Sequence, residues 1–180
     1  MQSATAISSP GFDIPEKAYS ALSRGQKSAL GFVFAVASGC EVMLLDEPYL
    51  GLDIPRRELF YEVLRQEHGR TVVVSTHHLS EIEGLLDTIA LMGENPISGP
   101  VDDFIDAFLE LSGPKGAIST AISALDLPVL ERASTNLGDQ ALVDARSCSP
   151  EPIFRYANEH RLRITEVPLE RAVRALEERS

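Results

Sequence analysis

The chain has 180 residues, 44% of them hydrophobic and 24% charged, a composition that suits a folded domain with a small appendage and excludes a disordered tail. Its 27 acidic residues outnumber 16 basic ones, for a net charge of −11. The carboxylates are spread along both halves, which argues against free nucleic-acid binding, a task that needs a basic face. Two cysteines, Cys40 and Cys148, build neither a disulfide framework nor a cysteine-based zinc cluster and point to a reduced, cytosolic chain.

Residues 1–12 read as a floppy leader rich in Ser, Ala and Gly, without the basic start and apolar stretch of a signal peptide. The longest apolar-rich run, Ala29 to Cys40, is too short to span a bilayer. Ser23 is a good N-cap for a helix running to about Ser38, closed by Gly39. Val42 to Leu45 is wholly apolar and ends at Asp46 and Glu47, the pattern of a strand buried on both faces of a parallel sheet. Cys40, just before it, reads as a small core residue. Pro48 to Asp53 is a loop.

The next helix runs from about Pro55 to His68, with Leu59, Phe60, Val63 and Leu64 on one face. Thr71 to Ser75 is a second buried strand. A third helix carries Leu79, Ile82, Leu85 and Leu86. Thr88 to Met92 is a strand, and Gly93 to Pro96 a turn. Strands alternating with helices define an α/β layer structure.

After Pro100 the texture changes. A linking helix near Asp102–Asp106 leads to a strand near Phe108–Ser112 and a helix near Lys115–Leu125. Strands near Val129–Ser134 and Gln140–Asp144, a helix near Glu151–His160 and a strand near Leu162–Val167 follow. That is a β-α-β-β-α-β order, the ferredoxin-like arrangement. A last helix has Leu169, Ala172, Val173 and Leu176 at i, i+3, i+4, i+7 spacing. The expected domains are therefore residues 12–100 and 101–180.

Three short units carry chemistry. An apolar strand ending in Asp46 places a carboxylate at the sheet's carboxyl edge, where α/β proteins hold Mg²⁺ near a nucleotide. Adjacent Glu47 is suited to polarise a water, or the two are simply a solvated acidic pair at a strand end. In Leu22-Ser23-Arg24-Gly25-Gln26, a hydroxyl and backbone N–H groups at a helix N-terminus face an anion, or simply cap the helix. His77 follows the second strand, within reach of a phosphate oxygen or attacking water. His68, His78 and His160 read as structural or exposed, and nothing has zinc-ligand spacing.

The order of these units resembles the C-terminal half of an ATP-binding-cassette (ABC) nucleotide-binding domain, over about Phe12 to Gly99. Leu22-Ser23-Arg24-Gly25-Gln26 resembles the signature, Val42 to Glu47 the Walker B strand with its glutamate, Leu50-Gly51-Leu52-Asp53 the D-loop, and Ser75-Thr76-His77 the switch-histidine loop. Residues 101–180 resemble the C-terminal extension of some bacterial exporter ATPases. The resemblance implies a partial P-loop NTPase lobe followed by a small α+β region, with ATP and Mg²⁺ as cofactors. In it two domains clamp ATP head to tail. Ser23, Gly25 and Gln26 would face the γ-phosphate held by a second ABC ATPase protomer, and Asp53 would couple the two sites. Asp46 would help hold Mg²⁺, Glu47 would be the general base, and His77 would contact the γ-phosphate. The implied setting is the cytoplasmic face of the membrane, with a transmembrane permease subunit as partner in export.

Two departures stand out. Arg24 occupies the third signature position, usually glycine, and the P-loop pattern G-x-x-x-x-G-K-[ST] occurs nowhere. None of the three lysines, Lys17, Lys27 and Lys115, follows a glycine. The expectation is a partial chain without ATP turnover of its own. The alternatives are a soluble ABC ATPase of translation or chromosome work, disfavoured by the acidic charge, and a non-catalytic module that completes or regulates another ABC ATPase in trans.

Overall fold

The computed structural model describes residues 12, 18–93 and 96–179. The expected leader lies almost wholly outside them. The chain divides into two compact units, Met1–His78 and Leu79–Ser180, upstream of the 100/101 change of texture. Among the described residues, no helix is long and apolar enough to cross a membrane.

In the first unit, α1 (Arg24–Ala37) is followed by β1 (Val42–Asp46), α2 (Ile54–Gln66) and β2 (Thr71–Ser75). The two strands are parallel, in the register Val42↔Thr71 to Asp46↔Ser75. Aromatic packing builds the interior: Phe32 of α1 lies 4.4 Å from Phe60 of α2, centroid to centroid, and Tyr49 approaches Phe60 edge-on. Arg70 reaches the carbonyl of Val36 and pairs with Glu67, tying the end of α1 to the start of β2.

Three expectations fail in this unit, one of them that Thr71–Ser75 is a buried strand: Thr71, Val73 and Ser75 are exposed and Val72 and Val74 only partly buried. Another is that β1 is buried on both faces. Its burial alternates, with Met43 and Leu45 inward at 3% and 8% exposed and Val42 and Leu44 outward at 54% and 74%. Among the described residues the sheet has two strands, and nothing covers its Val42–Leu44 face. The third is that Cys40 belongs to the core. It is exposed, because the turn at Gly39, with φ +63°, places it ahead of the strand.

The second unit opens with α3 (Leu79–Ile82), shorter than its apolar spacing suggests because Glu83–Leu85 tightens into a 3-10 turn. β3 (Thr88–Leu91) pairs antiparallel with β4 (Ile97–Pro100), a strand whose Gly and Pro hide it from pattern reading. Pro100 is the last residue of that edge strand, where a missing N–H is tolerated. Next come α4 (Val101–Asp106), β5 (Phe108–Gly113), α5 (Ala117–Leu125), β6 (Val129–Ser134), β7 (Asp139–Asp144), α6 (Pro150–His160), β8 (Arg163–Glu166) and α7 (Leu169–Glu177). The sheet order β6-β7-β5-β8, antiparallel throughout, is the ferredoxin-like arrangement expected from the element order.

Period-two alternation sends the side chains of this sheet to two cores. Leu109, Leu111, Ala141 and Val143 pack with Ile118, Ile122 and Ile153 of α5 and α6. Phe108 and Leu142 face the other way, toward Ile89 of β3, Phe104 of α4, and Leu169, Ala172 and Val173 of α7. Arg171 of α7 crosses to the sheet, bonding Glu131 at 2.8 Å and also Glu110. Both faces are therefore covered from within the unit. Cys148 lies in the loop before α6, beside the first core.

Phe108→Ala is expected to destabilise this unit by about 3–5 kcal/mol, the range for emptying a fully buried aromatic site, read as a lower urea midpoint. Asp144 adds a pH dependence. Burial is the largest single influence and pushes its pKa up, but the two-pronged Arg146 guanidinium, the Arg146 backbone N–H and the charges of Arg146 and Arg179 together hold it below the ordinary 3.8. A depressed carboxylate stabilises fully above its unfolded pKa and loses that contribution as pH falls through the folded value. The urea midpoint should hold from neutral pH to about 5 and fall below about 4, and Asp144→Asn should lower it at neutral pH and flatten the acid decline.

Candidate functional site

The carboxyl edge of the two parallel strands gathers four side chains. Asp46 ends β1 and Ser75 ends β2, opposite each other in register. The Ser75 hydroxyl donates to the Asp46 carboxylate. The Glu47 N–H continues the ladder to the carbonyl of Ser75 at 3.1 Å. Glu47 then turns into the left-handed region at φ 42°, which swings its side chain back over the start of the next loop. There its Oε1 accepts the backbone N–H of His77 at 3.0 Å and lies 2.5 Å from His77 Nδ1. With Glu47 ionised, Nδ1 carries the shared proton and Nε2 of a neutral ring is left as an acceptor. The His77 side chain is 63% exposed, so that second nitrogen is open to a ligand. Glu47 Oε2 is buried with no hydrogen-bond partner.

The signature-like segment sits at the start of α1. Ser23 is its N-cap: Ser23 Oγ accepts the Gln26 N–H at 3.2 Å, and Gln26 Oε1 accepts the Ser23 N–H at 2.9 Å. This reciprocal capping box consumes two of the orphan donors of the helix end and leaves the N–H groups of Arg24 and Gly25. Ser23 still has its own O–H to donate.

The first turn of α1 lies against the loop after β1 at a glycine–glycine contact. A Cβ on Gly25 would stand 2.1 Å from the carbonyl oxygen of Gly51, and one on Gly51 would stand 3.0 Å from Gly25 N. Gly51 also has φ +82°. Ser28 Oγ donates to Leu50 O at 2.9 Å, and Arg57 Nε to Leu52 O at 3.1 Å, so the loop is held on both sides of Gly51. Asp53 ends the loop as N-cap of α2, accepting the Arg56 N–H at 3.1 Å and pairing with its guanidinium.

The structure thus unites Asp46, Glu47 and His77, and it joins the signature-like turn to the loop between Glu47 and Asp53. The side chains of Ser23, Gln26 and Asp53 are engaged locally, as caps. Two participants, Ser75 and Gly51, lay inside motif-like segments but had no role of their own assigned from the sequence. Ser75 was legible as the register partner of Asp46 once the strands were paired end to end. Gly51 gave no signal beyond being a loop glycine. His78, half-buried, donates its N–H to Thr76 Oγ1, a local turn contact. Among the described residues no group of three or more His, Cys, Asp or Glu is placed to hold a metal ion. An Asp46–Ser75 pair at a strand end does fit a Mg²⁺ ion that keeps its waters and shares a nucleotide's phosphates, because Mg²⁺ takes only one or two protein oxygens in such sites.

These side chains stand at the carboxyl edge of two parallel strands, the place where open α/β sheets bind ligands. Residues 8–83 match the family described as "AAA domain, putative AbiEii toxin, Type IV TA system". The aliphatic sulfonates import ATP-binding protein SsuB of Yersinia pestis is 36% identical over 115 residues, 62% of this chain and 40% of that protein. The bacitracin transport ATP-binding protein BcrA of Enterococcus faecalis is 41% identical over 81 residues, 43% of this chain and 26% of that protein. A crystal structure named for a cobalt transport ATP-binding protein (cbiO-2) covers 81% of this chain and 56% of its own, at 18% identity and a TM-score of 0.45. Over about half its length, this chain is related to the ATP-binding proteins of ABC transporters. It spans well under two thirds of the length of these relatives.

The glycine contact predicts opposite outcomes for two alanines in one helix. Gly31→Ala, with nothing within 4 Å of the new Cβ, should stabilise the chain by about 0.5–1 kcal/mol. Gly25→Ala must displace backbone and should destabilise it by about 1–3 kcal/mol. Thermal unfolding of the two variants beside wild type reads both.

Proposed function

We propose that the first unit is the signature-bearing half of an ABC transporter ATPase, and that this chain acts on ATP only when the phosphate-cradling half is supplied. The observation that carries this reading is the Asp46–Ser75 and Glu47–His77 cluster at the strands' carboxyl edge, inside the segment related to ABC ATP-binding proteins. Asp46 would hold a hydrated Mg²⁺ bound to the nucleotide. Glu47 would take a proton from the attacking water, and His77, anchored through Nδ1, would offer its other nitrogen toward the γ-phosphate. Proximity of Glu47 to His77 supports this division, since one ring orients the base and reaches the phosphate.

The α1 N-terminus supports a role in trans. Its remaining N–H donors at Arg24 and Gly25 and the Ser23 hydroxyl form an anion-facing turn. In the head-to-tail arrangement of the family, that turn addresses the γ-phosphate on a second ABC ATPase protomer, with Asp53 at the boundary between protomers. Hydrolysis would drive a transmembrane permease from the cytoplasmic face of the membrane. We assign the direction as export, on the likeness of residues 101–180 to exporter extensions. A second reading is favoured by the lack of a G-x-x-x-x-G-K-[ST] loop in all 180 residues: a non-catalytic module that completes or regulates another ABC ATPase in trans.

Mg²⁺-ATPase activity of the purified chain, alone and with a full-length ABC ATPase subunit, tests the proposal. The expected outcome is no turnover alone and ATP-strengthened association with the partner. Turnover by the chain alone, abolished in Glu47→Gln, would overturn the partial-site reading. A gain in the mixture that Glu47→Gln leaves intact but Ser23→Ala reduces would favour the regulatory module.

A further inference from the structure

In the β3–β4 hairpin, Gly99 stands opposite Ile89 in register. Ile89 faces inward, 4% exposed, in the core that holds Phe104. Gly99 shares that face but adds no side chain to it, and a Cβ there would meet nothing within 4 Å. An inward-facing glycine in a strand leaves room for another group to approach. The room is an open cavity of about 230 Å³, bounded by β4, by Asp103 and Phe104 of α4, and by Arg146 after β7. A cavity of roughly 150 Å³ takes benzene, so this one has space for about nine non-hydrogen atoms.

The walls are apolar at Ile97, Pro100 and Phe104, and one side chain of each charge flanks them. Arg146 engages Asp144 through Nε and Nη2, at 2.9 and 2.7 Å. Its guanidinium lies 5.4 Å from the ring centre of Phe108, which is fully buried. The side chain is thereby fixed before any ligand arrives, which lowers the entropy cost of binding. Among the described residues, Nη1 of Arg146 is left without a partner, and the exposed Asp103 carboxylate has none either.

We propose that this cavity binds a small zwitterion with an apolar side chain, of the class of the free aliphatic α-amino acids. Its carboxylate accepts from Arg146 Nη1, its ammonium pairs with Asp103, and its side chain fills the space beside Gly99 against Ile97 and Phe104. Charge selects this class. Asp144 already neutralises Arg146, so Asp103 leaves the site one negative charge in excess. An anion alone would meet that excess and the net charge of −11. A cation alone would cover the Nη1 donors without offering them an acceptor. A zwitterion satisfies both groups and carries no net charge. The cavity lies in the second unit, beyond the family match that ends at residue 83, so the inference stands apart from the ATPase reading.

Isothermal titration of the full 180-residue chain with L-leucine, L-isoleucine and L-methionine tests the inference. At least one should bind one to one with a Kd below about 1 mM, the range open to about nine well-seated atoms. The N-acetyl and methyl-ester forms of that amino acid lack the ammonium and the carboxylate in turn, and each should bind at least about tenfold more weakly. Asp103→Asn, at an exposed position without a partner, should weaken the free amino acid to the same degree. Gly99→Leu has open space around the new side chain and no positive φ to strain. It should fill the cavity and abolish binding while unfolding within about 3 °C of wild type. No binding of any of the three to wild type overturns the inference. So does undiminished binding by Gly99→Leu or by Asp103→Asn, which would put the ligand elsewhere on the chain. An N-acetyl or methyl-ester form that binds as tightly as the free amino acid also overturns it, because the site would then take a simple anion or cation.

Discussion

The close approach of two backbones at Gly25 and Gly51 is the constraint on which the arrangement of the first unit's loop depends. The loop from Glu47 to Asp53 has to serve three purposes in a few residues. It starts from a strand end that presents a carboxylate, passes under the first turn of α1, and finishes as the cap of α2. Contact of main chain with main chain, without intervening side chains, makes that path short enough. The flanking bonds from Ser28 and Arg57 to the carbonyls of Leu50 and Leu52 then hold the loop at both sides of the crossing. The first turn of α1 and Glu47, which faces His77, are thereby fixed to one piece of backbone.

The second unit solves its packing differently. Its four-stranded sheet is covered by α5 and α6 on one side and by α4, α7 and the β3–β4 hairpin on the other, and Arg171 anchors α7 to the sheet through Glu110 and Glu131. It satisfies both faces of its sheet from its own residues, whereas β1 and β2 do not. The family match ends at residue 83, just inside this unit, so its ferredoxin-like architecture stands on the strand order itself.

Much of this was legible in the residues. Ser23 and Gln26 spell a capping box at the correct spacing. The α7 spacing of Leu169, Ala172, Val173 and Leu176 marks one apolar side, and the first three are buried. The order of elements after Pro100 specified the second sheet. What escaped reading has physical causes. An unbroken apolar run such as Val42–Leu45 looks the same whether its second face is covered by its own chain or by another. The β4 strand is built from Ile97, Ser98, Gly99 and Pro100, which carry no strand pattern, and it forms because β3 offers a partner edge. Cys40 was placed by hydrophobicity, but the turn geometry of Gly39 decided its exposure. The glycine crossing was illegible because a sequence shows that a glycine is present, not which backbone approaches it.

Glu47 occupies a left-handed backbone conformation, at φ 42°, that an ordinary side chain adopts at a cost of about 1–3 kcal/mol. A laboratory selection for thermal robustness alone would therefore find position 47 early, and would replace the glutamate with glycine or asparagine, which accept that geometry more readily. The same exchange would delete the carboxylate facing His77. Backbone ease and the Glu47–His77 contact compete at this residue.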